Sequence, residues 1–249
     1  MCSGVKKMEE MMNAEMAIRL DNETAALSIR EALEFLIEKF PGKISFSSSF
    51  GMEDQVVTDM IFSQNLPISL FTLDTGRNFE ETNKVHNSTL SRYGKKIQVF
   101  HPYQTDIENL VSEKGPFSFY ESVENRVECC QIRKVKPLHR ALKDVSVWIT
   151  GLRNEQSNDR GNLKRFIFDP ANQVIKFNVL FDWSLEQVKR YIKDNHVPYN
   201  TLHDKGFISI GCAPCTRAIG PGQNIRDGRW WWENNSSKEC GIHTNGNDQ

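Results

Sequence analysis

Apolar positions along the chain recur with two different periods, and helical and strand-like stretches alternate over most of its length. Over residues 24–40, Ala25, Ile29, Leu33, Leu36, Ile37 and Phe40 fall on one helical face, and Pro41-Gly42 ends the run. A strand pattern from Lys43 to Ser47 follows. It runs into the small-residue loop Ser47-Ser48-Ser49-Phe50-Gly51-Met52-Glu53-Asp54. Val56, Val57, Met60 and Ile61 predict a helix from Asp54 to about Ser63. Ile68 to Leu73 reads as a second strand, followed by Asp74-Thr75-Gly76-Arg77 and a helix to about Arg92. Lys96 to Phe100, Val145 to Thr150 and Val174 to Leu180 complete five strands, with helices near Gln131–Lys143 and Leu185–Asn195 between them. This alternation predicts an α/β fold, a mostly parallel sheet with helices on both faces. Ligands of such sheets bind outside the carboxyl ends of the strands. The loops there, 47–54, 74–77 and 151–160, are rich in Ser, Gly, Asp and Arg.

From Gly206 the periodicity fades, glycines multiply and Trp230 to Trp232 stand together. The chain therefore divides into an N-terminal helical segment (1–40), an α/β core (41–210) and a tail (211–249) folding over the sheet, all within one structural domain. Lys and Arg number 31 against 32 Asp and Glu, a net charge of −1. That balance argues against a nucleic-acid partner, whose footprint is a basic excess. No run of about 18 apolar residues is present to span a membrane. Met1 to Leu20 lacks the apolar centre of a signal peptide, so a cytoplasmic protein is expected.

The six cysteines are unevenly spread: Cys2, Cys129, Cys130, Cys212, Cys215 and Cys240. They are too few for a disulfide scaffold. Adjacent Cys129-Cys130 plus Cys212-Ala213-Pro214-Cys215 read as four thiolate ligands of one metal centre. Neighbouring cysteines diverge on a regular helix, so the pair requires a helix end or a kink. A multi-iron cluster accepts divergent ligands more readily than one tetrahedral zinc does, although the CxxC taken alone favours zinc. Cys2 has no partner in the sequence and reads as a bystander.

Small residues at 47–54 let backbone N–H groups approach an anion beside a helix N-terminus, or else form an ordinary Ser/Gly turn. The loop is not a P-loop, because the terminal G-K-[ST] is missing. Two such loops on adjacent strand ends favour a nucleotide. Ser47, Ser49, Gly51 and Glu53 in the first, and Asp74, Gly76 and Arg77 in the second, are candidate binding residues. Arg133 and Lys134 follow the CC pair, while Arg217, Arg226 and Arg229 follow the CxxC. Such cations offset an anionic thiolate cluster or hold a doubly anionic substrate. Cys240, near Lys238 and His243, is either an exposed tail thiol or a nucleophile.

These motifs, in this order, resemble the assimilatory adenylyl-sulfate (APS) reductases, iron–sulfur relatives of the phosphoadenylyl-sulfate (PAPS) reductases. The likeness spans roughly Lys43 to His243. It rests on the Ser-rich loop with Glu53-Asp54, Leu73-Asp74-Thr75-Gly76-Arg77, Thr150-Gly151-Leu152-Arg153 with Glu155-Gln156-Ser157, the two cysteine pairs, and Glu239-Cys240-Gly241-Ile242-His243. The resemblance implies an adenine nucleotide alpha-hydrolase-like fold and a [4Fe-4S] cluster on Cys129, Cys130, Cys212 and Cys215. It implies that Cys240 attacks the sulfur of APS, and that thioredoxin or a similar dithiol protein then releases sulfite. By position, Lys134, Arg226, Arg229 and His243 hold the phosphosulfate, while Leu73, Gly151 and Arg160 lie along the adenosine. The tail carries no redox domain after Cys240, so the reductant is expected to be a separate protein. Room remains for a homo-oligomer. Three other readings stay open: a PAPS or dual APS/PAPS reductase, an ATP-pyrophosphatase-type enzyme such as a tRNA sulfurtransferase, and a metal-dependent binding module. The second needs an SGGxDS-like loop, and this chain has Ser49-Phe50-Gly51-Met52-Glu53-Asp54 there.

Overall fold

The computed structural model describes residues 2–156, 163–233 and 242, with the backbone alone at 2–7 and 9. Six strands form one sheet in the order β3-β2-β1-β4-β6-β5. They are β1 (Ile44–Ser47), β2 (Ser69–Leu73), β3 (Gln98–Phe100), β4 (Val147–Thr150), β5 (Phe166–Asp169) and β6 (Val174–Asn178). All neighbours are parallel except β5 and β6, which pair antiparallel. β5 was not expected from the sequence: its four residues FIFD adjoin the 171–173 turn, and the polar segment before them masks the signal. The order reverses at β1, with β2 on one side and β4 on the other. A crevice opens at the carboxyl ends of strands beside such a reversal.

The helices are α1 (Cys2–Thr24), α2 (Ile29–Lys39), α3 (Met52–Ser63), α4 (Glu80–Tyr93), α5 (Gln104–Lys114), α6 (Val123–Cys130), α7 (Lys136–Ala141) and α8 (Leu185–Asp194). The helix expected over 24–40 starts instead at Ile29, because Ser28 and Glu31 close a reciprocal capping box there. The single helix expected over 131–143 is two helices, α6 and α7, joined by a π-helical turn at Gln131–Val135. Among the described residues no helix is long and apolar enough to cross a membrane.

Side chains alternate across each strand with a period of two, so the sheet feeds two cores. Phe46, Leu70, Ile149 and Phe177 face the larger one, together with Leu20, Leu33, Leu36, Val56, Ile61 and Val188 from α1, α2, α3 and α8. Phe71, Trp148 and Val174 point the other way, against Leu138, Ala141 and Leu142. Helices therefore cover both faces. A third cluster lies apart from the sheet, around Leu110, Phe119, Cys129, Cys212, Cys215 and Trp230.

Candidate active site

A cleft of about 330 Å³ opens where the strand order reverses. The loops after β1, β2 and β4 wall it, joined by Lys134 and by Arg226 and Arg229. Of the expected residues, Ser47, Ser49, Gly51, Glu53, Leu73, Lys134, Gly151, Arg226 and Arg229 line it. Asp74 and Gly76 stand behind this wall, where Asp74 Oδ1 accepts from the Gly76 N–H at 2.8 Å and shapes the turn. Arg77 faces the cysteine cavity described below. Arg160, Cys240 and His243 lie outside the described residues, whereas Ile242 lines the cleft and packs on the Phe71–Leu138 cluster.

The loop at 47–54 is held by its own side chains. Asp54 Oδ2 accepts from both the Ser49 N–H and the Ser49 hydroxyl at 2.6 Å. The Trp148 indole N–H donates to Ser47 Oγ at 2.8 Å. Burial pushes the Asp54 carboxyl up to about 6 and the Glu53 charge adds to this, although the Ser49 hydrogen bonds oppose them. Phe50 carries φ of 61°, a left-handed backbone that costs a bulky residue roughly 1–2 kcal/mol. Its ring is stacked on His86, with centroids 4.7 Å apart. Gly151 reaches the same loop so closely that a Cβ there would stand 2.5 Å from Asp54 Oδ1. Arg153, 2% exposed, fastens the β4 loop to α3 by pairing with Glu53 at 2.9 Å.

Behind the basic wall, Cys129, Cys130, Cys212 and Cys215 line one small cavity with Arg77, Phe119, Arg126, Arg133, Lys134 and Trp230. Lys134 and Cys212 border both the cavity and the cleft. Cys129 and Cys130 sit at the end of α6, where the ladder widens into the π turn, as their divergence requires. Cys212 and Cys215 flank a single 3₁₀ turn, Ala213–Cys215, whose Ala213 N–H donates to the Arg77 carbonyl at 2.8 Å. Among the described residues no three His, Cys, Asp or Glu side chains gather closely enough to hold one metal ion.

Burial and the neighbouring Cys212 charge push the Cys215 thiol up to about 12. Burial also raises Cys129, against the pull of Arg133 and Arg77. At Cys212 burial is outweighed by Lys134, a hydroxyl contact from Thr75 (3.3 Å), Arg229 and Arg133, so its thiol lies below the ordinary value. Arg133 is 6% exposed and donates to the Thr75 carbonyl at 2.6 Å, tying the cavity to the β2 loop. The Trp230 indole N–H and Arg133 Nε are buried without a partner among the described residues.

Sequence reasoning missed Thr75, Arg126, His203 and Glu233. Arg126 pairs with Glu233 at 2.7 Å, both side chains being 3% exposed, and its guanidinium lies 4.7 Å from the Trp230 ring centroid. The spacing of Arg126, Cys130 and Arg133 along one helical path was readable. Nothing in the sequence named a partner 107 residues away.

The sequence of residues 43–218 matches the phosphoadenosine phosphosulfate reductase domain. An adenosine 5'-phosphosulfate reductase of Agrobacterium fabrum is 45% identical over 92% of this chain and 88% of that protein. One from Burkholderia cepacia is 46% identical over 93% of each. A third, from Allochromatium vinosum, is 48% identical over 80% of this chain and 78% of its own. Among solved structures, a phosphoadenylyl-sulfate reductase from Candida auris superposes with a TM-score of 0.70 at 29% identity, over 82% of this chain and 97% of that one. The FMN adenylyltransferase of Candida glabrata shares the fold alone, with a TM-score of 0.53 at 16% identity over 88% and 81%. The strand-end cleft, the paired cysteines behind its basic wall and these relatives agree, and the chain belongs to the phosphoadenosine phosphosulfate reductase domain family.

Proposed function

We propose that the chain reduces adenylyl sulfate to sulfite and AMP in assimilatory sulfate reduction, in the cytoplasm, with electrons from thioredoxin or a similar external dithiol protein. The observation that carries this reading is the shared wall: Lys134 borders both the cysteine cavity and the nucleotide-sized cleft, with Arg226 and Arg229 beside it. The organisation follows the three segments 1–40, 41–210 and 211–249. Adenosine occupies the end of the cleft formed by Leu73, Gly151 and the 47–53 loop, with Arg160 added from the same side. Lys134, Arg226, Arg229 and His243 neutralise the phosphosulfate.

The Cys240 thiolate attacks the sulfate sulfur, and the bond from that sulfur to the bridging phosphate oxygen breaks. Its electron pair leaves with AMP, and the enzyme carries an S-sulfocysteine. AMP needs no proton to depart, so in-line placement of the thiolate and charge neutralisation suffice. A thiolate of the external dithiol then attacks the Cys240 sulfur and expels sulfite. Its second thiol resolves the mixed disulfide, which returns Cys240 and leaves the partner oxidised by two electrons.

A [4Fe-4S] cluster on Cys129, Cys130, Cys212 and Cys215 fits the donor set. Four buried thiols line one cavity, and adjacent cysteines on a helix point roughly 100° apart, as separate corners require. The unpartnered N–H groups of Trp230 and Arg133 are directed to a cavity where thiolates and sulfides would accept from them. Such a cluster would tune the field around Lys134 without exchanging electrons, since thiol exchange already balances the reaction. Anaerobic purification tests the cofactor: about four irons and four sulfides per chain are expected, and one zinc in a colourless protein would overturn it. Cys240→Ser should abolish sulfite release while leaving iron and sulfide unchanged. A variant that still turned over would end the nucleophile assignment. The Candida auris relative favours a second reading, PAPS or dual reduction, and turnover of APS and PAPS at equal concentration separates the two.

A further inference from the structure

His203 lines the cleft on the short 3₁₀ helix Thr201–Lys205, and no role has been given to it. Its place is set by buried groups. Asn200 Oδ1 accepts from the Leu202 N–H at 3.1 Å and caps this turn, and Asn200 Nδ2 donates to Thr82 Oγ1 on α4 at 3.1 Å. The imidazole is hydrogen-bonded to the Phe207 backbone in the sense that favours a proton on the ring, so the ring is the donor there. Nε2 has no partner among the described residues and is buried, so Nδ1 makes that bond. Burial lowers the affinity of the ring for a second proton. The neutral ring therefore presents Nε2 as a bare acceptor, which is costly to leave unmatched away from water.

Its charged neighbours show which part of a ligand belongs there. Glu53 acts on His203 electrostatically and lies at the end of the cleft where Arg153 and Gly151 meet α3. The Glu53 carboxylate and the Nε2 lone pair both disfavour an anion, while the cations Lys134, Arg226 and Arg229 supply a separate place for one. A group that donates a hydrogen bond suits the Nε2 position. We propose that His203 Nε2 accepts a hydrogen bond from the nucleoside part of the bound nucleotide, a ribose hydroxyl or the adenine amino group. This rests on the nucleotide reading of the cleft and adds a residue that selects the nucleoside.

The test is calorimetric titration of the holoprotein with AMP and three analogues: 2′-deoxy-AMP, 3′-deoxy-AMP and IMP. His203→Phe should bind AMP about 10-fold more weakly than the native chain, the factor expected for one lost hydrogen bond. His203→Asn, which keeps an acceptor, should recover part of the loss. The analogue lacking the donor should bind the native chain weakly and His203→Phe equally weakly, while the other two keep the 10-fold difference. That pattern separates ribose from adenine, and a general packing defect would weaken all four ligands alike. Unchanged melting and iron content establish that the variants are folded. Equal AMP affinity in the native chain and His203→Phe would overturn the inference, as would the same ratio for every ligand. A native chain that does not bind AMP would instead refute the nucleotide reading, and this inference with it.

Discussion

The cleft rim and the cysteine cavity are adjacent, yet they are built on different principles. The rim is made of strand ends. Its loops carry their own hydrogen bonds, such as Asp54 to Ser49 and Asp74 to Gly76, between residues five and two apart. The cavity gathers short pieces from α5, α6, the 3₁₀ turn at Ala213–Cys215 and the segment around Trp230. Its ties run across the chain: Thr75 to Cys212 and Arg126 to Glu233 span 137 and 107 residues. Local self-satisfaction gives a rim that forms with the sheet. The cavity depends on a few distant pairs, so it is the region that one substitution can undo.

Glu233→Ala probes that dependence most severely. The Arg126 guanidinium would remain buried beside Trp230 without its carboxylate, a loss of about 3–5 kcal/mol. Urea unfolding should show that loss. The cavity should be lost ahead of the rim, with iron binding impaired while AMP still protects the β1 and β4 loops from hydrogen exchange. Equal loss of protection in both regions would mean that they fold as one cooperative unit.

A milder perturbation addresses the rim. The Asp54 carboxyl is pushed up to about 6, from 3.8 in a free aspartate. Between these values the folded chain binds more protons than the unfolded one. The contribution of Asp54 to stability is thus fully present at low pH, falls as pH rises through this window, and is lost above about pH 6. At most about 3 kcal/mol is involved. Asp54→Asn should flatten the pH dependence of the urea midpoint between about pH 4 and pH 6, leaving the iron content unchanged. A slope that survives the substitution would assign it to another group.

Legibility in the sequence followed the same division. Strand period, helix spacing and the Ser/Gly-rich loops placed five strands and the ligand edge of the sheet, because each signal lies within a few residues. The edge strand β5 escaped, since four residues cannot establish a period against their flanking turns. The cysteine pairs were visible by composition, and the expected break in the helix at Cys130 is the π turn. Arg126 could not be distinguished from a surface charge, because its burial depends on Glu233 and Trp230 arriving from the far end of the chain. His203 was hidden for a different reason. An isolated histidine carries no pattern, and its unmatched nitrogen appears only once Phe207 and the cleft wall are in place.

Ser28→Ala is expected to have the smallest effect. Ser28 Oγ accepts from the Glu31 N–H at 3.3 Å, and the Glu31 carboxylate accepts in return from the Ser28 N–H at 2.8 Å. Losing this cap costs about 1 kcal/mol. α2 packs Leu33 and Leu36 into the larger core, on the sheet face opposite the Leu138 cluster that Ile242 joins. The substitution should lower the urea midpoint slightly while leaving AMP affinity and iron content unchanged. A loss of iron from this variant would show the cavity to be coupled through the whole sheet, and the division between a self-sufficient rim and a dependent cavity would then fail.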